Sequence, residues 1–421
     1  MKTVLIISFY FPPFQSIGSV RPGALAKYLP GFGWDAVVLT ASVCENTDPA
    51  YRVIKAFYPG DVSDVIKEKL GIKKTDKKNI LPIAVQEARN PFLRKIKEYI
   101  YGIIAYPSQK KYWYSHAVKE ARKILKNMKI DLILSTSNPV TAHIAAAKLK
   151  EESGIPWVAD LRDLWTQDHY RSFGTLRGIV ERKLEKKTLS RADALVTVSL
   201  PLAERLGALH DSKYIYAVTN GFDPEEYRET PLTPDFTITY TGSLMHGRRD
   251  PSLILRALKE LFLEGKLDPR AVKLRFFGKR YAWLEKLIKQ YGLEGVAFQY
   301  GEIPRAEVLK RQRESQVLLL IMWNNPMGDG VYTGKVFEYL AARRPVITAG
   351  GPEGVVSALM RQTGAGVHVS GLESLKNTFV EYYEEYRAKG AAPYGGKKEE
   401  IDKYSHYEMA RKFADIFNRL A

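Results

Sequence analysis

Short apolar runs recur along this chain, and between them lie longer stretches in which apolar residues return every three or four positions. In the first half Val4–Phe9, Ala36–Leu39, Asp131–Ser135, Trp157–Asp160, Ala194–Val198 and Tyr214–Val218 read as strands. They are rich in Val, Ile and Leu without polar alternation, the pattern of strands covered on both faces. Arg21–Leu29 (Pro22 in its first turn), His116–Met128, a segment opened by Asn138-Pro139 that runs to about Glu152, Arg177–Ser190 and a short stretch from Ser199 read as helices. The second half repeats this logic. Strands are expected at Thr237–Thr241, Lys273–Phe277, Val296–Tyr300, Val317–Met322 and Pro345–Ala349, with helices at Asp250–Glu264, Tyr281–Tyr291, Glu307–Glu314 and Lys335–Ala342. Strands alternating with helices predict an α/β chain of two doubly wound, Rossmann-like domains, each built on a parallel sheet. The expected boundaries are 1–225 and 235–395, joined through Asn220-Gly-Phe-Asp-Pro224 and the stretch to Pro234. A last helix within 400–421 carries apolar residues at 413, 416, 417 and 420 that suit packing back onto the body.

A length of 421 residues fits two domains. The single cysteine, Cys44, excludes an intramolecular disulfide and a cysteine-based zinc site, and fits a reducing compartment. Val4–Phe11 is apolar, but Pro12-Pro13 follows at once, so a buried first strand is expected rather than a leader or a membrane span. The charge changes the picture more. The chain carries a net +17, and residues 67–129 hold 17 Lys/Arg against 5 Asp/Glu. Aromatic and aliphatic residues sit among these lysines at 99–107 and at Lys110-Lys-Tyr-Trp-Tyr114. Apolar groups beside cations suit an anionic membrane surface, and a solvated basic face over an ordinary core is the alternative. No nucleic-acid module accompanies the charge, so no nucleic-acid partner is expected.

Candidate chemistry concentrates at Gly328–Ile347. A glycine-rich loop after a strand opens onto a helix, where free backbone N–H groups and the helix dipole favour an anion. Thr333 is placed to cap that helix. Gly334 begins the turn, and Lys335 and Glu338 share one face. An ammonium suits a diphosphate and a carboxylate suits sugar hydroxyls. Arg343 and Arg344 fall in the last turn before Pro345. Upstream, Thr237–Thr241 ends at Gly242 and runs into Arg248 and Arg249, whose forked donors match phosphate at the carboxyl edge of a sheet. In the first half His143, Asp160, Arg162 and Asp163 lie at carboxyl ends of expected strands. His143 or Asp163 is a candidate to orient or deprotonate an acceptor hydroxyl, although an Asp160–Arg162–Asp163 ion pair would serve structure alone. His246 is a further loop candidate. No carboxylate or histidine cluster has metal-ligand spacing, which disfavours phosphate-ester hydrolysis; no metal site and no cofactor are expected.

Taken in order, Phe11-Pro-Pro-Phe with Gly18 and Arg21, Ser137-Asn-Pro-Val-Thr-Ala-His143, Asp160-Leu-Arg-Asp-Leu-Trp165, Asn220-Gly-Phe-Asp223, Thr241-Gly-Ser-Leu244 with Gly247-Arg-Arg-Asp-Pro251, and Lys335-Val-Phe-Glu-Tyr-Leu-Ala341 resemble GT-B glycosyltransferases. The resemblance is to the family 4-like group that serves lipopolysaccharide, capsule and exopolysaccharide assembly, and it covers nearly the whole chain. It implies two Rossmann-like domains facing a cleft. It also implies a nucleotide-sugar donor as substrate, held by Lys335, Arg249 and Gly18 near the diphosphate and by Glu338 at the ribose. Metal-independent transfer with retention to a glycan or lipid-linked acceptor is implied too, in the cytoplasm against the inner face of the cell membrane. One departure stands out: the family's first glutamate corresponds to Gly330, with Asp329 adjacent but out of register. A nucleotide-sugar epimerase of the same shape, or an inactive membrane- or nucleic-acid-binding protein, is the alternative.

Overall fold

In a computed structural model of the protein the apolar runs become strands, and among the described residues every strand pairing is parallel. The structure describes residues 1–421 except 15, 45–46, 70–101, 169–174, 211–213 and 324–327. The chain divides into two compact units, 1–218 with 409–421, and 219–408.

The first unit contains β1 (Lys2–Ser8), α1 (Ile17–Tyr28), β2 (Trp34–Ala41), β3 (Arg52–Ala56), α2 (Val62–Lys69), α3 (Trp113–Asn127), β4 (Leu132–Ser137), α4 (Thr141–Ser153), β5 (Trp157–Leu161), α5 (Thr175–Leu189), β6 (Ala194–Thr197), α6 (Leu200–Leu209) and β7 (Ile215–Ala217). The sheet runs β3-β2-β1-β4-β5-β6-β7. Both faces are buried, as the unbroken apolar runs require. Along β1, Leu5 and Ile7 enter one core while Val4 and Ile6 enter the other, which follows from the period of two. The order reverses between β1 and β4, and such a reversal opens a crevice at the carboxyl ends of the strands.

Helix α1 starts earlier than its pattern indicated. Ser16 caps it, its hydroxyl accepting from Gly18 N at 3.1 Å, so Pro22 lies inside the helix rather than in its first turn. From this helix the buried Arg21 donates to both oxygens of the buried Asp160, at 3.0 and 2.9 Å. Its guanidinium also lies over the ring of Phe413, 4.9 Å from the centroid. One cation therefore fastens the end of β5 and the C-terminal helix to the same core.

The second unit contains β8 (Phe236–Thr241), α7 (Ser252–Leu263), β9 (Val272–Phe277), α8 (Ala282–Tyr291), β10 (Ala297–Gly301), α9 (Arg305–Arg313), β11 (Val317–Ile321), α10 (Gly334–Ala342), β12 (Val346–Ala349), α11 (Val355–Thr363), β13 (Gly366–Val369), α12 (Leu372–Lys389) and α13 (Lys398–Asp402). Helix α14 (His406–Asn418) follows, and most of it lies in the first unit. The sheet order is β10-β9-β8-β11-β12-β13, with its reversal between β8 and β11. Strand β11 splits its side chains: Val317, Leu319 and Ile321 pack on one face, Leu318 and Leu320 on the other.

Candidate functional site

At the β8/β11 reversal of the second unit, two glycines let backbone and lysine meet. Gly242 follows β8 with φ +98° and Gly278 follows β9 with φ +144°, both left-handed values that glycine adopts without strain. A Cβ on Gly278 would fall 2.5 Å from Gly242 O, and one on Gly242 would fall 2.6 Å from Lys335 Cε. The absence of side chains at these two strand ends is thus what admits the lysine of α10. Around it lies a cavity of about 360 Å³, lined by Thr241, Gly242, Ser243, Phe277, Gly278 and Lys335, with Glu338 and Ile303 also on its wall.

Lys335 Nζ donates to Tyr240 Oη at 2.6 Å and sits 3.9 Å from the centroid of the same ring. Tyr240 in turn donates to Ser243 O at 2.8 Å, and Arg249 Nη1 donates to that carbonyl at 3.2 Å. Lys335 and Arg249 are therefore joined through one tyrosine and one carbonyl. Burial, and then the positive charge of Arg249, push the Lys335 pKa well below the ordinary lysine value, with Glu338 opposing. A half-buried amine held in this way gains from any anion that supplies the missing negative charge.

Glu338 lies one turn along α10. Arg305 Nη1 donates to its Oε1 at 2.5 Å, and Gln312 Nε2 to its Oε2 at 3.2 Å. Arg305 also reaches Glu226 at 3.1 Å, and Gln312 reaches Thr241 Oγ1 at 3.0 Å. Each carboxylate oxygen keeps a second lone pair, so Glu338 stays able to accept from hydroxyls while its orientation is fixed from behind.

Of the residues expected here, Lys335, Glu338 and Arg249 come together. Gly334 is the first residue of α10, as the loop-to-helix pattern requires. Arg248 does not converge with them: its guanidinium stacks 4.8 Å from the Trp323 centroid on the exposed side of the loop. Thr333 occupies the N-cap position but makes no capping bond, and its buried Oγ1 has no partner. The expected cap is thus corrected: the Thr333 hydroxyl caps no amide, and its backbone carbonyl accepts from Val336 N at 3.0 Å. Arg343 is not in the last turn but just beyond it, with φ +52° and its guanidinium over Tyr227. At Gly330, in the place of the absent glutamate, the backbone N–H bonds to Asp329 Oδ1 at 2.8 Å, while Asp329 O receives Val355 N at 2.8 Å. This acidic residue therefore helps hold the loop against the start of α11. The side chain of His246 lies outside the described residues. Tyr240, Gln312, Arg305 and Gly278 were not foreseen. Only Gly278, a glycine closing a strand, carried a usable signal.

In the first unit, Arg162 knits the loops at the β1/β4 reversal. Its Nε donates to Ser137 O at 2.6 Å and its Nη1 to Gly18 O at 2.9 Å. Gly18 is buried beside Tyr10 and Arg162, where a Cβ would lie 3.1 Å from Tyr10 Cδ2. Asp163 is half-buried, with Asn138 Nδ2 at 3.5 Å from its Oδ2. Asp160 pairs with Arg21 rather than with Arg162. His143 is a correction. Its ring is fully enclosed, Nδ1 shares a 2.7 Å hydrogen bond with Ser135 Oγ, and Nε2 has no partner. Burial lowers its pKa to about 4, so it is a neutral core histidine and not a group that meets an acceptor.

The aromatic run is corrected in part as well. Trp113 is buried against Phe9 inside the core, and Lys110 pairs with Asp61 at 2.6 Å while lying over the rings of Phe9 and Tyr58. Residues 70–101 of the basic region are outside the described residues. Among the described residues no group of three His, Cys, Asp or Glu could hold a metal, and no helix is long and apolar enough to cross a membrane.

Two units, each a parallel sheet with its order reversed near the middle and helices alternating with strands, define the GT-B class. Residues 83–226 match the model of Glycosyltransferase Family 4. Among solved structures, sucrose-phosphate synthase from Thermosynechococcus elongatus is similar at 13% identity and TM-score 0.64, covering 100% of this chain and 99% of that one. HepE of Anabaena, solved with UDP and glucose, is similar at 13% identity and TM-score 0.64, covering 100% of both chains. The lipopolysaccharide outer core galactosyltransferase WaaB aligns at 14% identity and TM-score 0.55, again over 100% of both chains. No curated protein sequence matches this chain. By its two sheets and their order the chain has the GT-B fold, and its segment 83–226 is similar to Glycosyltransferase Family 4.

Proposed function

We propose that the protein transfers a sugar from a nucleoside diphosphate donor to a hydroxyl of a glycan or lipid-linked acceptor. The observation that carries this reading is the lysine admitted by two side-chain-free strand ends. Lys335, linked to Arg249, borders a cavity whose wall also carries a fixed carboxylate, Glu338. A diphosphate seated there meets one ammonium, one guanidinium and the positive end of the α10 dipole, while its ribose hydroxyls donate to Glu338. Charge-assisted bonds contribute roughly 1.5–3 kcal/mol each, so these groups account for most of a micromolar-to-millimolar affinity. The uridine nucleotide in the HepE structure supports a nucleotide donor.

In the proposed reaction the bond from the anomeric carbon to the diphosphate oxygen breaks and one to the acceptor oxygen forms. Lys335 and Arg249 stabilise the negative charge that grows on the leaving diphosphate. With retention, a phosphate oxygen of the leaving group takes the hydroxyl proton, which needs neither metal nor protein base. Asp163 is the group we assign to orienting the acceptor. The proposed setting is the cytoplasmic face of an anionic membrane, where lipid-linked acceptors lie. A thermal-shift screen of nucleoside diphosphates is the test, since a ligand bound only to the folded state raises the melting temperature. A shift abolished by Glu338→Ala and Lys335→Ala supports the site, and a shift that survives both overturns it. Labelled nucleotide-sugar then separates transfer from release of a free epimer.

A further inference from the structure

Helix α5 is built inside out over its first turns. Its two acids point inward: Glu181 is 1% exposed and accepts from Trp165 Nε1 at 3.1 Å, and Glu185 is fully buried and accepts from Thr166 N at 3.1 Å and pairs with His210. The aliphatic residues of its first turns point outward instead: Leu176 is 71% exposed, Ile179 62% and Val180 50%, while Leu184 and Leu189 further along pack on the core. These three positions are spaced i, i+3, i+4, so they form one stripe. Further along the helix the exposed surface carries Arg182, Lys183, Lys186 and Lys187, none of them in an ion pair among the described residues. With both acids turned inward, this outer face has apolar groups on its first turns and only cations beyond.

The helical residues 102–104 extend the apolar end. A Cβ on Gly102 would fall 2.5 Å from Arg177 Nη1, which sets this segment against the first turns of α5, and Ile103 and Ile104 are both exposed. A water-facing helix gains nothing by burying carboxylates and exposing leucine, isoleucine and valine; the arrangement favours a partner that is apolar on one side and anionic on the other. A bilayer with acidic headgroups has that profile, since aliphatic groups enter the acyl boundary while lysines meet phosphate. Two short contiguous aliphatic patches next to four exposed cations fit a lipid surface better than a protein groove.

We infer that the outer face of α5, with Ile103 and Ile104, is the element that docks this protein on an anionic phospholipid bilayer. The inference deepens the membrane setting proposed above and moves it from the Lys110–Tyr114 run, whose tryptophan is internal, to a surface that is available.

The experiment is flotation of the full chain with vesicles of phosphatidylcholine, with and without phosphatidylglycerol. We compare wild type with Leu176→Gln/Ile179→Gln/Val180→Gln and with Lys183→Glu/Lys186→Glu/Lys187→Glu. The expected result is binding to the anionic vesicles only, at least tenfold weaker for the aliphatic variant. For the charge variant, both the binding and its salt dependence should be lost. Retention of the nucleotide-induced melting shift shows that each variant is folded, and reads the donor site independently of the membrane. Equal binding by wild type and the aliphatic variant overturns the assignment to α5. Failure of wild type to bind either vesicle overturns the membrane setting itself while leaving the donor site standing. A dimer that the aliphatic variant turns into a monomer makes a second copy of the chain the occupant, and also refutes the inference.

Discussion

Replacing Lys335 with methionine should make the protein more stable and at the same time unable to hold its donor. The two effects have one cause. In the unliganded protein the amine sits over the Tyr240 ring with a pKa pushed well down by burial and by Arg249. A lysine whose folded-state pKa lies below its unfolded value destabilises the fold at every pH under the folded value. That cost fades as the pH climbs from the folded value toward the unfolded one. Methionine fills similar volume without a charge, and Tyr240 keeps its bond to Ser243 O, so a gain of roughly 1 kcal/mol is expected at neutral pH, shrinking in alkali. Binding moves the other way. Loss of one charge-assisted bond of roughly 1.5–3 kcal/mol weakens a nucleoside diphosphate about 10- to 150-fold. A diphosphate also raises the lysine pKa, so binding takes up a proton, and wild-type affinity falls as pH rises above the free-state value. The variant should lose that component of the slope. Urea unfolding without ligand, and calorimetric titration with nucleotide at several pH values, read both effects. A variant that is less stable and binds nucleotide as tightly as wild type would refute the reasoning.

Tyr240→Phe keeps the ring under Lys335 but removes the hydroxyl between Nζ and Ser243 O; one neutral bond is worth about 0.5–1.5 kcal/mol, so nucleotide affinity should fall roughly 2- to 12-fold without loss of fold. An unchanged dissociation constant would remove Tyr240 from the site. Arg21→Met strands Asp160 in the core and should cost about 3–5 kcal/mol in urea unfolding, against a near-zero effect if the pair were dispensable. For His143, native pKa about 4 against an ordinary 6.5, the unfolded chain binds the proton first, so stability is lost as pH falls below 6.5. The loss should reach roughly 2 kcal/mol by pH 5. His143→Leu should flatten that limb of the stability profile, and an identical profile in wild type and variant would contradict the neutral, enclosed ring.

Strand existence was legible in the sequence because strands covered on both faces leave unbroken apolar runs, as β1 and β11 do. Strand β3, with Arg52 and Lys55 on a sheet edge, leaves no such run and escaped notice. So did β13, four residues containing a histidine, and α12, whose apolar positions are diluted by glutamates. In the site, Lys335 and Glu338 were legible because both lie on one helix that follows a glycine loop. Their supports were not. Tyr240 is a core-like residue within a strand, and Arg305 and Gln312 come from a helix with no apolar stripe to orient it. His143 misled because a helix-start histidine beside a strand end looks exposed, whereas the small residues of α4, Ala142, Ala145 and Ala146, draw that helix tightly onto the sheet.

A crystal structure of the protein soaked with a nucleoside diphosphate is the most direct measurement. Phosphate oxygens are expected within hydrogen-bonding distance of Lys335 Nζ, with the backbone at Gly242 open to them and ribose hydroxyls on Glu338. Nucleotide bound elsewhere, with Lys335 still held by Tyr240 and Glu338 untouched, would contradict this placement.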